Sequence, residues 1–233
     1  MLHFPEGFRW GSATAAHQIE GNNVNSDWWA REHALGTTIA EPSGDACDSY
    51  HRYREDMQVL ADVGLGTYRF SLEWARIEPE KGFVSRAELD HYRRMVDTAR
   101  ELGIEPMVTL HHFTIPRWFD ADGGWFAPDA VDRFTRFTET VLPVLDGVEL
   151  VCTINEPNMV AMFAGDNPAH DEHTTLQAFG QPAPNPRVAE TLLAAHRSAR
   201  DVLAAAGPFR SGWTVATQDL QPEPGCEELA RGY

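Results

Sequence analysis

The sequence predicts an α/β protein with a parallel sheet, a (β/α)8 TIM barrel truncated after about the fifth strand. Short apolar runs rich in β-branched residues alternate with amphipathic segments long enough to cross back over a sheet. About five strands and four intervening helices can be recognised, against eight of each in a closed barrel. No linker divides the chain, so residues 1–233 are expected to form one partial TIM-barrel domain. The two sheet edges that such a barrel leaves open indicate a truncated chain or a completing partner.

Apolar runs predict the strands in chain order. They cover residues 8–14, 67–72, 104–110, 149–154 and 211–217. The fourth run is the clearest because it stops abruptly at Asn155 and Glu156, which precede Pro157. Proline cannot donate to a sheet ladder, and it pushes the residue before it toward an extended or turn conformation. An amide and a carboxyl group are therefore expected side by side at the carboxyl end of a buried strand.

Apolar residues at helical spacing predict the helices. They cover residues 52–63, 86–102, 128–145 and 188–206. Glycines end three of them, at Gly64, Gly103 and Gly207. Pro128 is expected to open the third helix at its N1 position. The remaining long polar stretches, residues 22–45, 116–127 and 166–187, are expected to be loops.

Composition excludes several classes of partner. The net charge of −16, from 19 basic and 35 acidic residues, argues against nucleic acid and anionic membrane surfaces. The three cysteines are widely spaced and suggest neither a disulfide framework nor a metal site. No signal peptide or membrane-spanning run is evident, so a cytoplasmic location is expected. No cofactor is expected.

Polar side chains follow the predicted strands. They are Gln18 and Glu20 after the first, Arg69 and Glu73 in and after the second, His111 and His112 after the third, and Asn155 and Glu156 after the fourth. In a parallel barrel the carboxyl ends of the strands carry the chemistry. Amide, imidazole and carboxyl groups with nearby Trp rings suit a sugar. A carboxyl at position 156, partly withdrawn from water, could hold a proton near neutral pH.

Each of these residues also has a plainer interpretation. Glu156 taken alone is more simply a helix cap or a solvated side chain. Glu73 and Glu20 are expected to be structural ion-pair partners. Side chains of His111 and His112 point to opposite faces, so one is expected to pack while the other reaches the site.

Two further stretches also have alternative interpretations. The sequence 170–173, His-Asp-Glu-His, lacks the helical spacing of a metal site, and no metal is expected there. The loop from Trp118 to Trp125 is equally consistent with the wall of an aglycone site and with rim packing.

Four motifs together carry a family resemblance. They are Phe4-Pro5-x-Gly7-Phe8-x-Trp10-Gly11-Ser12-Ala13-Thr14-Ala15-Ala16-His17-Gln18-Ile19-Glu20-Gly21, Tyr68-Arg69-Phe70-Ser71-Leu72-Glu73-Trp74-x-Arg76-Ile77-x-Pro79, Thr109-Leu110-His111-His112-Phe113, and Thr153-x-Asn155-Glu156-Pro157. In this order they resemble the N-terminal half of glycoside hydrolase family 1, the β-glucosidase and β-galactosidase type.

The resemblance implies a role for five residues. Glu156 would be the general acid/base of a retaining mechanism. Asn155 would hydrogen-bond the sugar 2-hydroxyl or the nucleophile region, while Gln18 and His112 would hold hydroxyls of the nonreducing sugar. Arg69 would sit beside the nucleophile and keep it ionised. Retaining hydrolysis needs two such carboxyl groups, one protonated and one ionised.

One departure from the family pattern matters. The Thr-Glu-Asn-Gly motif that carries the family's nucleophile does not occur in this sequence. The expectation is an N-terminal portion of a retaining β-glycosidase, acting on O-glycosidic bonds of β-glucosides or related β-glycosides, that is inactive alone. The alternatives are a non-catalytic sugar-binding pseudoenzyme subunit that needs a partner chain, and an unrelated barrel that uses Glu156 differently. Expected partners are a β-glycoside or oligosaccharide substrate, and a complementing C-terminal half or a homo-oligomer.

Overall fold

Five parallel strands form one sheet in the computed structural model, which describes residues 3–164, 184–217, 221 and 223–228. The strands are β1 (Gly11–Ala13), β2 (Thr67–Ser71), β3 (Glu105–His111), β4 (Leu150–Ile154) and β5 (Arg210–Gly212). Their order in the sheet is their order in the chain, with β1 and β5 at the edges. This open sheet fits part of a (β/α)8 barrel and confirms the predicted fold class.

Helices connect each strand to the next. They are α1 (Ala16–Ile19), α2 (Asp27–Glu32), α3 (Ser49–Asp62), α4 (Trp74–Ile77), α5 (Arg86–Glu101), α6 (Arg117–Ala121), α7 (Ala130–Val141), α8 (Pro157–Phe163) and α9 (Pro186–Ala206), with 3-10 turns at Gly124–Phe126 and Leu142–Leu145. The long helices α3, α5, α7 and α9 are the four crossovers. Within the described ranges, no helix combines the length and apolar character needed to cross a bilayer.

Side-chain caps fix where two crossovers begin. The hydroxyl of Ser85 accepts a hydrogen bond from the Glu88 amide at the start of α5. The Asn185 oxygen accepts from the amides of Arg187 and Val188 at 3.1 and 3.2 Å at the start of α9. Both caps satisfy amide donors that a helix leaves free in its first turn.

The main core lies between the sheet and these helices. Phe70, Val108 and Val151 contribute one buried side chain each from β2, β3 and β4. The ring of Trp74 stacks on that of Phe137 in α7, with centroids 4.9 Å apart. Burying a side chain of this size stabilises a fold by roughly 1.5–3 kcal/mol. This packing holds the strands in the register that places their carboxyl ends on one edge.

Several predicted boundaries are wrong. The expected loop 22–45 contains α2, which begins because the Ser26 hydroxyl accepts from the Trp29 amide at 3.1 Å. The expected loop 116–127 contains α6, whose Phe119 is buried. Pro128 is not at N1 of α7, since Asp129 occupies the N-cap position and the helix begins at Ala130.

The end of the chain also differs from expectation. Pro157 does open a helix at N1, the short α8, which the sequence analysis did not predict. The fifth strand ends at Gly212, short of the expected residue 217. It is an edge strand that pairs with β4 over three residues, Leu150 to Cys152. Residues 165–183, which hold most of the expected loop 166–187, lie outside the described residues.

Candidate active site

A sharp turn joins β4 to α8 and carries Asn155 and Glu156. Glu156 has φ 48° and ψ 62°, the left-handed backbone conformation that residues other than glycine rarely adopt. The fixed φ of Pro157 then starts α8 directly after it. Asn155 is 2% exposed, while Glu156 is only partly buried. The turn therefore holds an amide inside the protein and presents a carboxyl at its surface.

Thr214 fastens this turn to the segment after β5. Its hydroxyl donates to Asn155 Oδ1 at 3.0 Å and accepts from the Glu156 amide at 3.1 Å. The backbone amide of Asn155 donates to the backbone carbonyl of His111 at 2.8 Å, which joins the ends of β3 and β4. Sequence reasoning missed Thr214. The only available signal was a hydroxyl in the middle of the expected fifth strand, residues 211–217, and its partner depends on strand register.

Arg69 and His112 lie close enough for the guanidinium to act on the imidazole. Burial and, as the smaller cause, the charge of Arg69 together lower the pKa of His112 to about 4. His112 is therefore neutral at pH 7 and can both donate and accept. Among the described residues, the buried Arg69 Nε and His112 Nδ1 have no hydrogen-bond partner. Two ring or guanidinium nitrogens are thus free for a ligand or for residues outside the described ranges.

The two adjacent histidines occupy different environments, as expected. His111 is 1% exposed, and its ring contacts Trp125 and Phe134 at centroid distances of 5.2 and 6.3 Å. Burial lowers the pKa of His111 to about 3. His111 is a packing residue, and His112 is the more exposed of the pair.

Gln18 lies on the short helix α1 with its side chain exposed. Its neighbours His17 and Glu20 are buried and hold the helix in place. His17 Nε2 lies 2.8 Å from Glu32 Oε1. In the described part of the chain, no hydrogen bond joins Gln18 to Arg69, His112 or the 155–156 turn. The structure thus brings the other predicted site residues together pairwise but leaves Gln18 unconnected to them.

The two remaining strand-end carboxyls are structural. Glu20 pairs with Arg76 at 2.9 Å and accepts from the Tyr92 hydroxyl at 3.1 Å. Burial raises the pKa of Glu20 to about 7 although Arg76 opposes this shift. Glu73 caps α4 by accepting from the Ala75 amide, and it also accepts from the Thr114 hydroxyl at 2.8 Å. Glu20 is the expected ion-pair partner. Glu73 is structural as expected, but within the described ranges it makes hydrogen bonds and no ion pair, although the charges of His17 and Arg76 act on it.

An aromatic cleft of about 290 Å³ adjoins the site. Its walls include Trp28, Phe113, Trp125 and Phe163. Phe113 links the cleft to the site, because it directly follows His112 in the chain. Trp28 and Phe113 stack with centroids 5.9 Å apart. None of the five residues predicted for the site lines it.

The two tryptophans at the ends of the loop from Trp118 to Trp125 have different surroundings. Trp125 is a wall of the cleft. Trp118 instead donates to the Glu78 carbonyl at 2.8 Å and packs against Trp74. The His-Asp-Glu-His stretch at 170–173 lies outside the described residues.

The chain matches known proteins over most of its length. A family model described as glycosyl hydrolase family 1 matches residues 1–176. Beta-glucosidase A of Acetivibrio thermocellus is 41% identical over 170 residues, which are 70% of this chain and 38% of that protein. Thermostable beta-glucosidase B of Thermobispora bispora is 42% identical over 169 residues, 70% of this chain and 36% of that protein.

Solved structures share the architecture. The β-glycosidase BGL167 superimposes with a TM-score of 0.84 at 42% identity, covering 98% of this chain and 61% of that one. The family 1 β-glucosidase of Thermotoga maritima gives a TM-score of 0.83 at 33% identity, covering 98% and 52%. The chain thus spans between about a third and three fifths of the length of these relatives. By its family match and its fold, the chain belongs to glycosyl hydrolase family 1.

Proposed function

We propose that this chain supplies the acid/base half of a retaining β-glycosidase. Glu156 acts as general acid/base, Asn155 orients the 2-hydroxyl or the nucleophile region, and Gln18 and His112 hold hydroxyls of the nonreducing sugar. The observation that carries the proposal is the 155–156 turn, in which Thr214 holds both residues at the carboxyl end of a barrel strand. The family membership supports β-glucosides or related β-glycosides as the substrate class.

The reaction would proceed in two displacements. The Glu156 carboxyl donates its proton to the glycosidic oxygen while a carboxylate attacks the anomeric carbon, so the C–O bond breaks and a glycosyl-enzyme forms. Glu156, now ionised, takes a proton from water, whose oxygen attacks the anomeric carbon and releases the carboxylate. The neutral imidazole of His112 suits its role because it can donate to one hydroxyl and accept from another.

Arg69 is the residue proposed to support the nucleophile. Its buried Nε has no acceptor among the described residues, as expected of a cation that pairs with a carboxylate outside them. A guanidinium beside a carboxylate favours the ionised form that attack requires. The motif that carries the family's nucleophile is absent from the 233 residues. We therefore propose that this chain alone has no useful glycosidase activity.

Exposed apolar side chains at both sheet edges support a completing partner. Beside β1, the rings of Phe4, Phe8 and Trp10 are 46–61% exposed and contact one another. Beyond β5, Trp213 and Val215 are 37% and 52% exposed. A polypeptide carrying the remaining barrel strands would pair with both edges and cover these side chains. A second copy of the chain is the other partner proposed, and a cytoplasmic location stays a prediction.

The decisive experiment compares the purified chain alone with the chain mixed with the C-terminal half of a family 1 relative. We expect no turnover of an aryl β-glucoside by the chain alone. The mixture should show turnover that falls by about 10²–10⁴-fold in Glu156→Gln and is unchanged in the surface control Glu55→Gln. In Glu156→Ala, added azide should restore turnover, since azide attacks the glycosyl-enzyme without needing a base.

Other outcomes separate the alternatives. Turnover by the homogeneous chain alone, lost in Glu156→Gln, would refute the proposed inactivity. A mixture that hydrolyses the glycoside equally well with Gln at 156 would refute the acid/base role. A mixture that forms a stable complex and binds sugar without turnover would support the non-catalytic subunit instead.

A further inference from the structure

A second cavity, of about 180 Å³, lies apart from the proposed active site. It opens between the loop after α1 and the segment that joins α4 to α5. Its lining includes Asn22, Asn23, Asn25, Arg76, Phe83 and Glu88, and none of the five residues assigned to the active site. A neighbouring depression shares Asn25, Pro79 and Phe83 with it.

A chain of hydrogen bonds from Ser43 through Glu32 and His17 ends at Asn23, which lines this cavity. Glu32 accepts from the amide and the hydroxyl of Ser43 at 3.0 and 2.7 Å. Its other oxygen lies 2.8 Å from His17 Nε2. Since a carboxylate can only accept, Nε2 carries the proton, and in the neutral tautomer His17 Nδ1 accepts from Asn23 Nδ2 at 3.2 Å. Because Nδ2 of Asn23 donates to His17, the side-chain oxygen Oδ1 is the atom that remains to accept a hydrogen bond.

The end left over is an acceptor without a donor. Asn23 is 2% exposed, and its Oδ1 is buried with no hydrogen-bond partner in the described part of the chain. Buried polar atoms are nearly always paired, so this oxygen calls for a donor. Asn23 lines the cavity, and a small movement of its side chain would bring Oδ1 within reach of a donor bound there. A ligand hydroxyl is such a donor.

Charged groups in the lining balance each other. Arg76 lies with its Cζ 4.6 Å from the centroid of the Tyr50 ring, and the Tyr50 hydroxyl donates to Glu88 at 3.0 Å. Arg76 also pairs with Glu20 at 2.9 Å, so its charge is already compensated by a carboxylate behind the cavity. The lining itself contains one cation, Arg76, and one anion, Glu88. A lining with donors, acceptors and no net charge favours a neutral polar ligand over an ion.

Phe83 supplies the apolar surface of the cavity. Its side chain is 59% exposed, beside the amides of Asn22 and Asn25. Flat rings next to paired donors and acceptors suit the apolar face and the hydroxyls of a sugar. The volume of about 180 Å³ is below the range of drug-sized pockets and accommodates roughly one ring. We propose that this cavity is a secondary binding site for a neutral monosaccharide or a polyol of similar size.

The test is a glucose titration of the 233-residue chain, followed through the NMR signals of its side-chain amides. We expect saturable shifts of the Asn23 amide with a Kd in the millimolar range. Phe83→Ala should raise that Kd about tenfold, the loss expected for one ring contact, and Glu88→Ala should raise it as well. The control Phe4→Ala removes an equally exposed ring elsewhere and should leave the Kd unchanged. Gln18→Ala should also leave it unchanged, which separates this site from the proposed active site.

Three results would overturn the inference. The first is that glucose at saturating concentrations does not shift the NMR signals of the Asn23 side-chain amide. The second is that the shifts and their Kd are unchanged in Phe83→Ala and Glu88→Ala, once circular dichroism has shown that both variants are folded. Inorganic phosphate, titrated in parallel, could move the same amides where glucose does not, which would make the cavity an anion site.

Discussion

The hydroxyl of Thr214 donates to the buried side-chain oxygen of Asn155 across 3.0 Å. The same hydroxyl accepts from the backbone amide of Glu156. One side chain from the segment after β5 therefore fixes both the amide and the carboxyl-bearing residue at the end of β4. Asn158 adds a second link between the same segments, since its side chain pairs with the amide and carbonyl of Ala216. The geometry of the proposed acid/base thus depends on contacts between the turn after β4 and the segment after β5.

Replacing Thr214 by Val should destabilise the protein by about 1–3 kcal/mol, because a buried acceptor on Asn155 loses its donor while the shape is kept. Urea denaturation measures the change. Thr191→Val is the matched control, because the Thr191 hydroxyl only donates to a carbonyl within α9. Its effect should stay within about 0.5 kcal/mol. Equal losses in the two variants would contradict a special role for Thr214.

The sequence predicted the strands best where burial dominates. The ends of β2, β3 and β4 fall within one or two residues of expectation. In a parallel sheet the apolar run is buried, and the polar residue that follows it marks the end of the strand. The short helices α2 and α4 were missed because they begin at single capping side chains, Ser26 and Glu73, within polar stretches. Local caps of this kind carry little periodicity for a pattern to reveal.

The site was predicted only in part for a related reason. Positions such as 112, 155 and 156 stand out because they follow an apolar run directly. Thr214 does not stand out, since its partners are set by the pairing of β4 with β5, in which Cys152 lies opposite Gly212. Pairing between strands some 60 residues apart depends on tertiary packing, which one sequence does not reveal.

Gly21 should tolerate alanine less well than Gly36, although both have φ of +78°. A Cβ at Gly21 would overlap the Asp45 backbone carbonyl, whereas a Cβ at Gly36 would meet nothing within 4 Å. Each variant pays for the left-handed conformation, roughly 1–2 kcal/mol. Gly21→Ala should lose about 1–3 kcal/mol more through the clash. Thermal or urea unfolding of the two variants measures the difference, and equal stabilities would show that the close approach is absent.

Removing the charge of Arg69 should raise the pKa of His112. In Arg69→Met the pKa should rise above its value of about 4 yet stay below the usual 6.5, because burial is the larger cause and is retained. The titration of the His112 ring protons by NMR measures this. Arg136→Met, which removes an exposed cation from α7, should leave it unchanged. An unaltered His112 titration in Arg69→Met would mean that the two side chains do not interact.

Asp27 should make the protein less stable as the pH rises from about 4 to 7. It is 3% exposed, and burial raises its pKa to about 7 despite a hydrogen bond from the Ile115 amide and the charge of Arg31. In that pH window the unfolded chain releases the Asp27 proton while the folded protein keeps it, so the stability contributed by the protonated form is present below pH 4 and lost by pH 7.

Asp27→Asn isolates this effect, because an amide keeps the acceptor for Ile115 and cannot ionise. The variant and the parent should have similar free energies of unfolding near pH 4. At pH 7 the variant should be more stable by roughly 3 kcal/mol. Asp62→Asn, at an exposed position at the end of α3, should show no such divergence. Urea denaturation at several pH values gives the comparison, and parallel stability curves for parent and Asp27→Asn would contradict a protonated Asp27 in the folded protein.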